Sequence, residues 1–154
     1  MQDKLPEILI TSVHDVFLTF LSMEVFPGQI MDSVTIDSSH PHNYVTAVID
    51  LSGDFEGSLH LYCPVLFAIR LSNSMANKSF NSMTGEASDV LGELITLVAK
   101  WFQINSAEIT NITISPAIVV SGNQIDLTDK EHTSCFRQAF KVDEDTFMVE
   151  CILN

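Results

Sequence analysis

Glu86, Asp89, Glu93, Thr96, Lys100 and Gln103 follow one another at intervals of three or four residues. At 3.6 residues per turn, that spacing brings Asp89, Glu93 and Thr96 onto one narrow line of a helix. If the chain does chemistry, this line is its candidate. The plainer alternative is an ordinary solvated face, since every amphipathic helix has one. Asp89 can also favour the helix N-terminus through the macrodipole.

Other clusters carry less. His40-x-His42, with Asp37 nearby, offers metal-ligating side chains in a Pro-containing turn but lacks a third spaced ligand pair, so surface-loop histidines are the better reading. Asp143-Glu144-Asp145 lacks the length and glycine of a calcium loop and reads as a solvated hairpin turn. Cys63, Cys135 and Cys151 form an odd set with no Cys-x-x-Cys spacing. Each sits in a strand-like apolar context, where free cysteine acts as a small buried hydrophobe. The chain contains no nucleophile-elbow, Walker or dinucleotide-binding pattern. The sequons at Asn77 and Asn111 have no meaning without secretion.

The polar line belongs to a helix expected over Ser88–Gln103. Its opposite side holds Val90, Leu91, Leu94, Ile95, Leu97, Val98, Trp101 and Phe102. Trp101 and Phe102 are expected in the core. A first helix is expected over Leu5–Met23, ended by Pro27-Gly28. Pro64 should open a shorter helix to about Ala76, followed by a polar loop over Asn77–Thr84. Strands are expected near Ser33–Ser38, Tyr44–Leu51, Gly57–Tyr62, Ile109–Ile114, Ala117–Ser121 and Gln124–Leu127. In the third of these, Leu59 and Leu61 alternate with Ser58, His60 and Tyr62, as in a half-buried strand. His40–Asn43 should form a turn, Pro116 should break a strand run, and Gly122-Asn123 should make a tight turn. Cys135–Val142 and Thr146–Leu153 read as a closing hairpin.

Each long helix precedes about three strands, which hints at a duplicated helix-plus-sheet unit. Hairpin connections dominate, so the expected class is α+β: an antiparallel sheet with two long helices packed on one face. The 154 residues and 46% hydrophobic content fit a single domain over 1–154 with a real core. Seven Lys+Arg against 20 Asp+Glu give a net charge of −13, a surface that repels nucleic acid and anionic membranes. No apolar run reaches the ~18 residues of a membrane span. The first residues show no signal-peptide pattern, so a cytoplasmic location is expected.

Asp89-Val-Leu-Gly-Glu93-Leu-Ile-Thr96 resembles the signature helix of the CheC/CheX/FliY family, and the CheX branch most closely. The family motif is Asp or Ser, three residues, Glu, two residues, Asn. Asp89, Glu93 and the intervening Gly92 match it. Further similarities are Gly53 and Gly57-Ser-Leu-His-Leu, the helix ending near Met75, and Ser115-Pro-Ala-Ile-Val-Val-Ser-Gly122. Together they span roughly Leu5 to Leu153.

The resemblance implies an antiparallel sheet with two long helices and pseudo-two-fold symmetry, and often a homodimer, for which the strand-rich C-terminus could supply a pairing edge. It implies action on the phosphorylated receiver domain of a CheY-like response regulator. In that family the Asn orients a water for in-line attack on the aspartyl-phosphate, while the Glu pairs with a receiver lysine. Carried over, Glu93 and Thr96 take the catalytic positions, with Glu86, Asp89 and Lys100 as partner-binding neighbours. No cofactor is intrinsic, and Mg²⁺ would belong to the receiver. Glu7-Ile-Leu-Ile10 is the nearest equivalent on the first helix, and its apolar last residue implies a single site.

The departure is at Thr96, where the motif has Asn. A carboxamide offers an acceptor and two donors, whereas Thr offers one hydroxyl that can bond back to the carbonyl one turn earlier. The expectation is therefore a receiver-binding protein with weakened phosphatase activity, or an inactive receiver-binding or assembly module of the same fold. A ligand sensor using the sheet–helix crevice is a third and weaker reading.

Overall fold

A computed structural model describes residues 4–31, 44–54, 56–106, 111–121 and 134–153. The expected strands at Ser33–Ser38 and Gln124–Leu127, the turns at His40–Asn43 and Gly122-Asn123, and the Asp37, His40 and His42 group lie outside the described residues.

Helix α1 (Leu5–Val16) buries Leu5, Leu9, Val13 and Val16, the stripe that its sequence period demands. It continues as a π turn over Phe17–Leu21 and stops at Ser22, whose left-handed backbone (φ 55°) ends the helix. Pro27-Gly28 does not end it. These residues lie inside strand β1 (Phe26–Met31), at an edge where a missing N–H is tolerated.

Strands β2 (Tyr44–Gly53) and β3 (Gly57–Pro64) pair antiparallel. Pro64 then caps α2 (Val65–Ala76), and Asn77 in the left-handed region closes it. The loop to α3 is stapled by Asn73, whose amide donates to the Phe80 carbonyl and whose oxygen accepts the Phe80 N–H. Helix α3 (Gly85–Asn105) begins three residues earlier than its apolar period suggests, because the Thr84 hydroxyl accepts the Ala87 N–H as an N-cap.

Beyond α3 come β4 (Ile112–Ile114), β5 (Ile118–Ser121) and the hairpin of β6 (Ser134–Val142) and β7 (Asp145–Leu153). The sheet order is β1-β6-β7-β3-β2-β4, with β5 also on β2. All the pairings are antiparallel. That order maps onto itself when β1 exchanges with β4/β5, β6 with β2 and β7 with β3. Each half is one long helix followed by its strands, so the topology carries the pseudo-two-fold symmetry of a doubled unit. The C-terminal strands are interior, with β7 between β3 and β6. The free edges among the described residues are β1 and β4/β5, so the C-terminus does not supply a pairing edge.

The core lies between the helices and one face of the sheet. Phe147 on β7 is its hub. It stacks on Phe17 of the π turn at 4.9 Å, on Phe140 of β6 at 5.2 Å and on Phe67 of α2 at 5.5 Å. Leu91, Leu94, Ile95, Val98 and Phe102 sink α3 into the same core, each contributing roughly 1.5–3 kcal/mol by area burial.

The alternation read in β3 is real, but its second face is not open. His60 and Tyr62 are 1% and 3% exposed. Along that face Arg137, Glu150 and His60 line up across β6, β7 and β3, joined by an Arg137–Glu150 ion pair and a Tyr62 hydroxyl that donates to Glu150. The Ser58 hydroxyl lies 2.9 Å from His60 Nε2. Buried polar groups need such partners, and only tertiary structure supplies them.

Candidate functional site

The polar line of α3 borders a groove of about 540 Å³. From the helix come Ser88, Asp89, Gly92, Glu93, Thr96, Leu97 and Lys100, and from its surroundings Met75 of α2 with Ala117 and Val119 at β5. Asp89, Glu93, Thr96 and Lys100 are thus brought together at one surface. Glu86 stands apart from that lining and pairs with Lys78. Trp101 is half-buried, its ring edge-on to Phe20 at 6.4 Å, while Phe102 is fully buried.

Asp89 and Glu93 are exposed and, among the described residues, make no hydrogen bond or ion pair. Thr96 is half-buried, and its hydroxyl donates to the Gly92 carbonyl at 2.8 Å. This is the one-turn back-bond open to a helical threonine. The stripe therefore presents two unneutralised carboxylates, a hydroxyl whose donor is committed, and the Lys100 ammonium.

The groove's floor is built from strand material. Pro116 separates β4 from β5, and both run beside β2. Ser115 bridges the break: its hydroxyl accepts the Asp50 N–H and its own N–H donates to the Asp50 carbonyl, both at 2.9 Å. The register then carries Ala117 and Val119 under Gly92, where an added Cβ would meet the Ala117 methyl at 3.4 Å.

Outside the groove, Arg70 of α2 reaches both ends of the β6–β7 turn, at 2.7 Å from Asp143 and 3.0 Å from Asp145. The Asp143 hydrogen bond, foremost, holds its guanidinium above the ordinary range. The turn read as merely solvated is therefore an ion-paired one, and this link between distant segments has no local signal. Cys63 and Cys151 are buried. Burial pushes the Cys63 thiol up to about 12, which makes it inert. The side chain of Cys135 lies outside the described residues. On α1, Glu7 is exposed and Ile10 half-buried, so the second stripe lacks a polar partner for Glu7.

The family model for the chemotaxis phosphatase CheX matches residues 45–141, and the chain belongs to that family. Among solved structures, the chemotaxis protein CheX from Vibrio vulnificus is similar over 98% of this chain and 99% of its own, at 18% identity and a TM-score of 0.81. A CheC-like superfamily protein from Shewanella sp. PV-4 is similar over 100% and 99%, at 22% identity and a TM-score of 0.81. CheX in a CheX–CheY–BeF₃–Mg²⁺ complex from Borrelia burgdorferi is similar over 96% of both chains, at 15% identity and a TM-score of 0.76. These likenesses establish the fold. No curated relative matches the chain. Among the described residues, no helix is long and apolar enough to cross a membrane.

Proposed function

We propose that this protein docks the α3 groove onto the phosphorylated receiver domain of a CheY-like response regulator in the cytoplasm and dephosphorylates it slowly. The observation that carries this reading is the convergence of Asp89, Glu93 and Thr96 on one open groove. Exposed and unpaired among the described residues, Glu93 is available to a receiver lysine, and a charge-assisted bond of that kind fixes docking geometry. Turnover needs only a water held in line with the aspartyl-phosphate. Its oxygen bonds to phosphorus, the bond between phosphorus and the aspartyl oxygen breaks, the receiver's aspartate is regenerated as a carboxylate, and inorganic phosphate leaves with the protons of the water. Any Mg²⁺ belongs to the receiver, and this chain contributes no cofactor.

Thr96 is the weak part. Its oxygen can still accept from a water, but its proton is committed to Gly92 and its stem is shorter than that of an asparagine. A ~1 Å misplacement can cost about a hundredfold in rate. The same back-bond favours the second reading, a receiver-binding module without turnover.

Phosphoreceiver decay separates the two. The wild type should accelerate decay modestly, Glu93→Ala should abolish the effect through lost binding, and Thr96→Asn should raise the rate by about tenfold or more. No acceleration at saturating wild type leaves the binding module. Unchanged binding in Glu93→Ala reduces the stripe to a solvated face.

A further inference from the structure

We infer that Lys100 is the group by which this protein senses the phosphoryl of its partner, in the place where Thr96 cannot serve. The inference rests on the receiver-docking reading above and names the residue that makes docking depend on phosphorylation.

A chain of net charge −13 repels a phosphoryl group, and Asp89 and Glu93 add two carboxylates at the groove itself. Among the described residues, Lys100 is the single Lys or Arg that lines the groove. Arg70, Lys78 and Arg137 are tied to acidic partners elsewhere, whereas Lys100 is exposed and makes no hydrogen bond or ion pair among the described residues.

Its position on the helix suits the task. Lys100 stands one turn beyond Thr96, about 6 Å along the axis, and helical side chains lean toward the N-terminus. A four-carbon stem can therefore carry the ammonium back over Thr96. Three N–H donors on a mobile point charge suit the equatorial oxygens of a phosphoryl group. The Thr96 hydroxyl spends its proton on the Gly92 carbonyl one turn back and has none to give a phosphoryl oxygen there. Carboxylates at one end of the groove and one ammonium at the other present opposite charges to opposite parts of the same partner.

The test titrates a CheY receiver, with and without beryllium trifluoride and Mg²⁺, against wild type, Lys100→Gln and Lys100→Arg by calorimetry. The wild type should prefer the loaded receiver by about tenfold or more, the scale of one hydrogen-bonded charge pair. Lys100→Gln should lose most of that preference, weakening affinity for the loaded receiver far more than for the unloaded one, where only a screened surface charge is removed. Lys100→Arg should keep the preference. A wild type without preference, an unchanged preference in Lys100→Gln, or equal weakening toward both forms overturns the role of Lys100 and leaves docking through Glu93 standing. Failure of the wild type to bind either form removes the docking reading itself.

Discussion

A threonine hydroxyl has one proton to give, and at position 96 that proton is already turned inward on Gly92. The consequence is a division of labour along a single helix face, with carboxylates at 89 and 93, a quiet hydroxyl at 96 and an exposed ammonium at 100. The spacing of these residues is visible in the chain, because a helical period determines which side chains share a line. The direction of the Thr96 bond was foreseeable as an option, since a helical hydroxyl can always fold back. Arg70 is the opposite case. Nothing near it in sequence announces Asp143 and Asp145, more than 70 positions away. Arg70 is 42% exposed, so solvent screens the clamp. Arg70→Ala should lower unfolding free energy by only about 0.5–1 kcal/mol in denaturant titrations. A larger loss would mean that the clamp also holds the packing of α2, whose Phe67 ring lies under the same guanidinium.

Among the elements, α3 was the most legible, because its apolar residues recur without interruption and its buried face followed from them. Its start was not, since Thr84 caps from outside the periodic stretch. The first helix ends within two residues of the expected Met23, but at a different stop signal, for a related reason. Pro27-Gly28 is the stronger local signal, but Ser22 takes the left-handed turn after a π turn that no periodicity reveals. Alternation makes β3 look like a half-buried strand with His60 and Tyr62 on its open face, because alternation reports two faces, not what covers them. Within α3, Gly92 is buried, yet a methyl there would make ordinary contact with Ala117. The position has room, and alanine is the better helix former. Gly92→Ala should therefore stabilise the fold by about 0.5–1 kcal/mol, or roughly 1–4 °C in a thermal scan. A fall in melting temperature would show that the Ala117–Val119 segment beneath Gly92 does not accommodate the methyl.

Across the whole molecule, the doubled topology leaves one half with the polar stripe and the other with Glu7 and an apolar Ile10. Alternation and hairpin spacing were enough to predict an antiparallel α+β class. The strand order was not readable, because long-range pairing depends on contacts that local pattern does not encode. The core has its own pH signature. The Cys63 thiol stays protonated in the native state up to about 12, against 9.0 for an ordinary thiol. Its contribution to stability is therefore complete below pH 9.0 and declines as pH rises toward about 12, by up to about 1.4 kcal/mol per pH unit. Urea unfolding at about pH 8 and about pH 10 should register that loss, and Cys63→Ala should flatten it. An equal decline in that variant would move the cause elsewhere.

The broken edge beside β2 has a further bearing on how other chains can approach. A long, uninterrupted border strand invites a foreign strand to zip alongside it. Here the border is two short pieces, with Pro116 between them and the Ser115 side chain occupying one rung of the ladder. Among the described residues, strand-by-strand recruitment along that flank has little backbone to grip. The border that floors the groove is thus guarded against sticking, and a visitor to that side of the molecule must meet α3 itself.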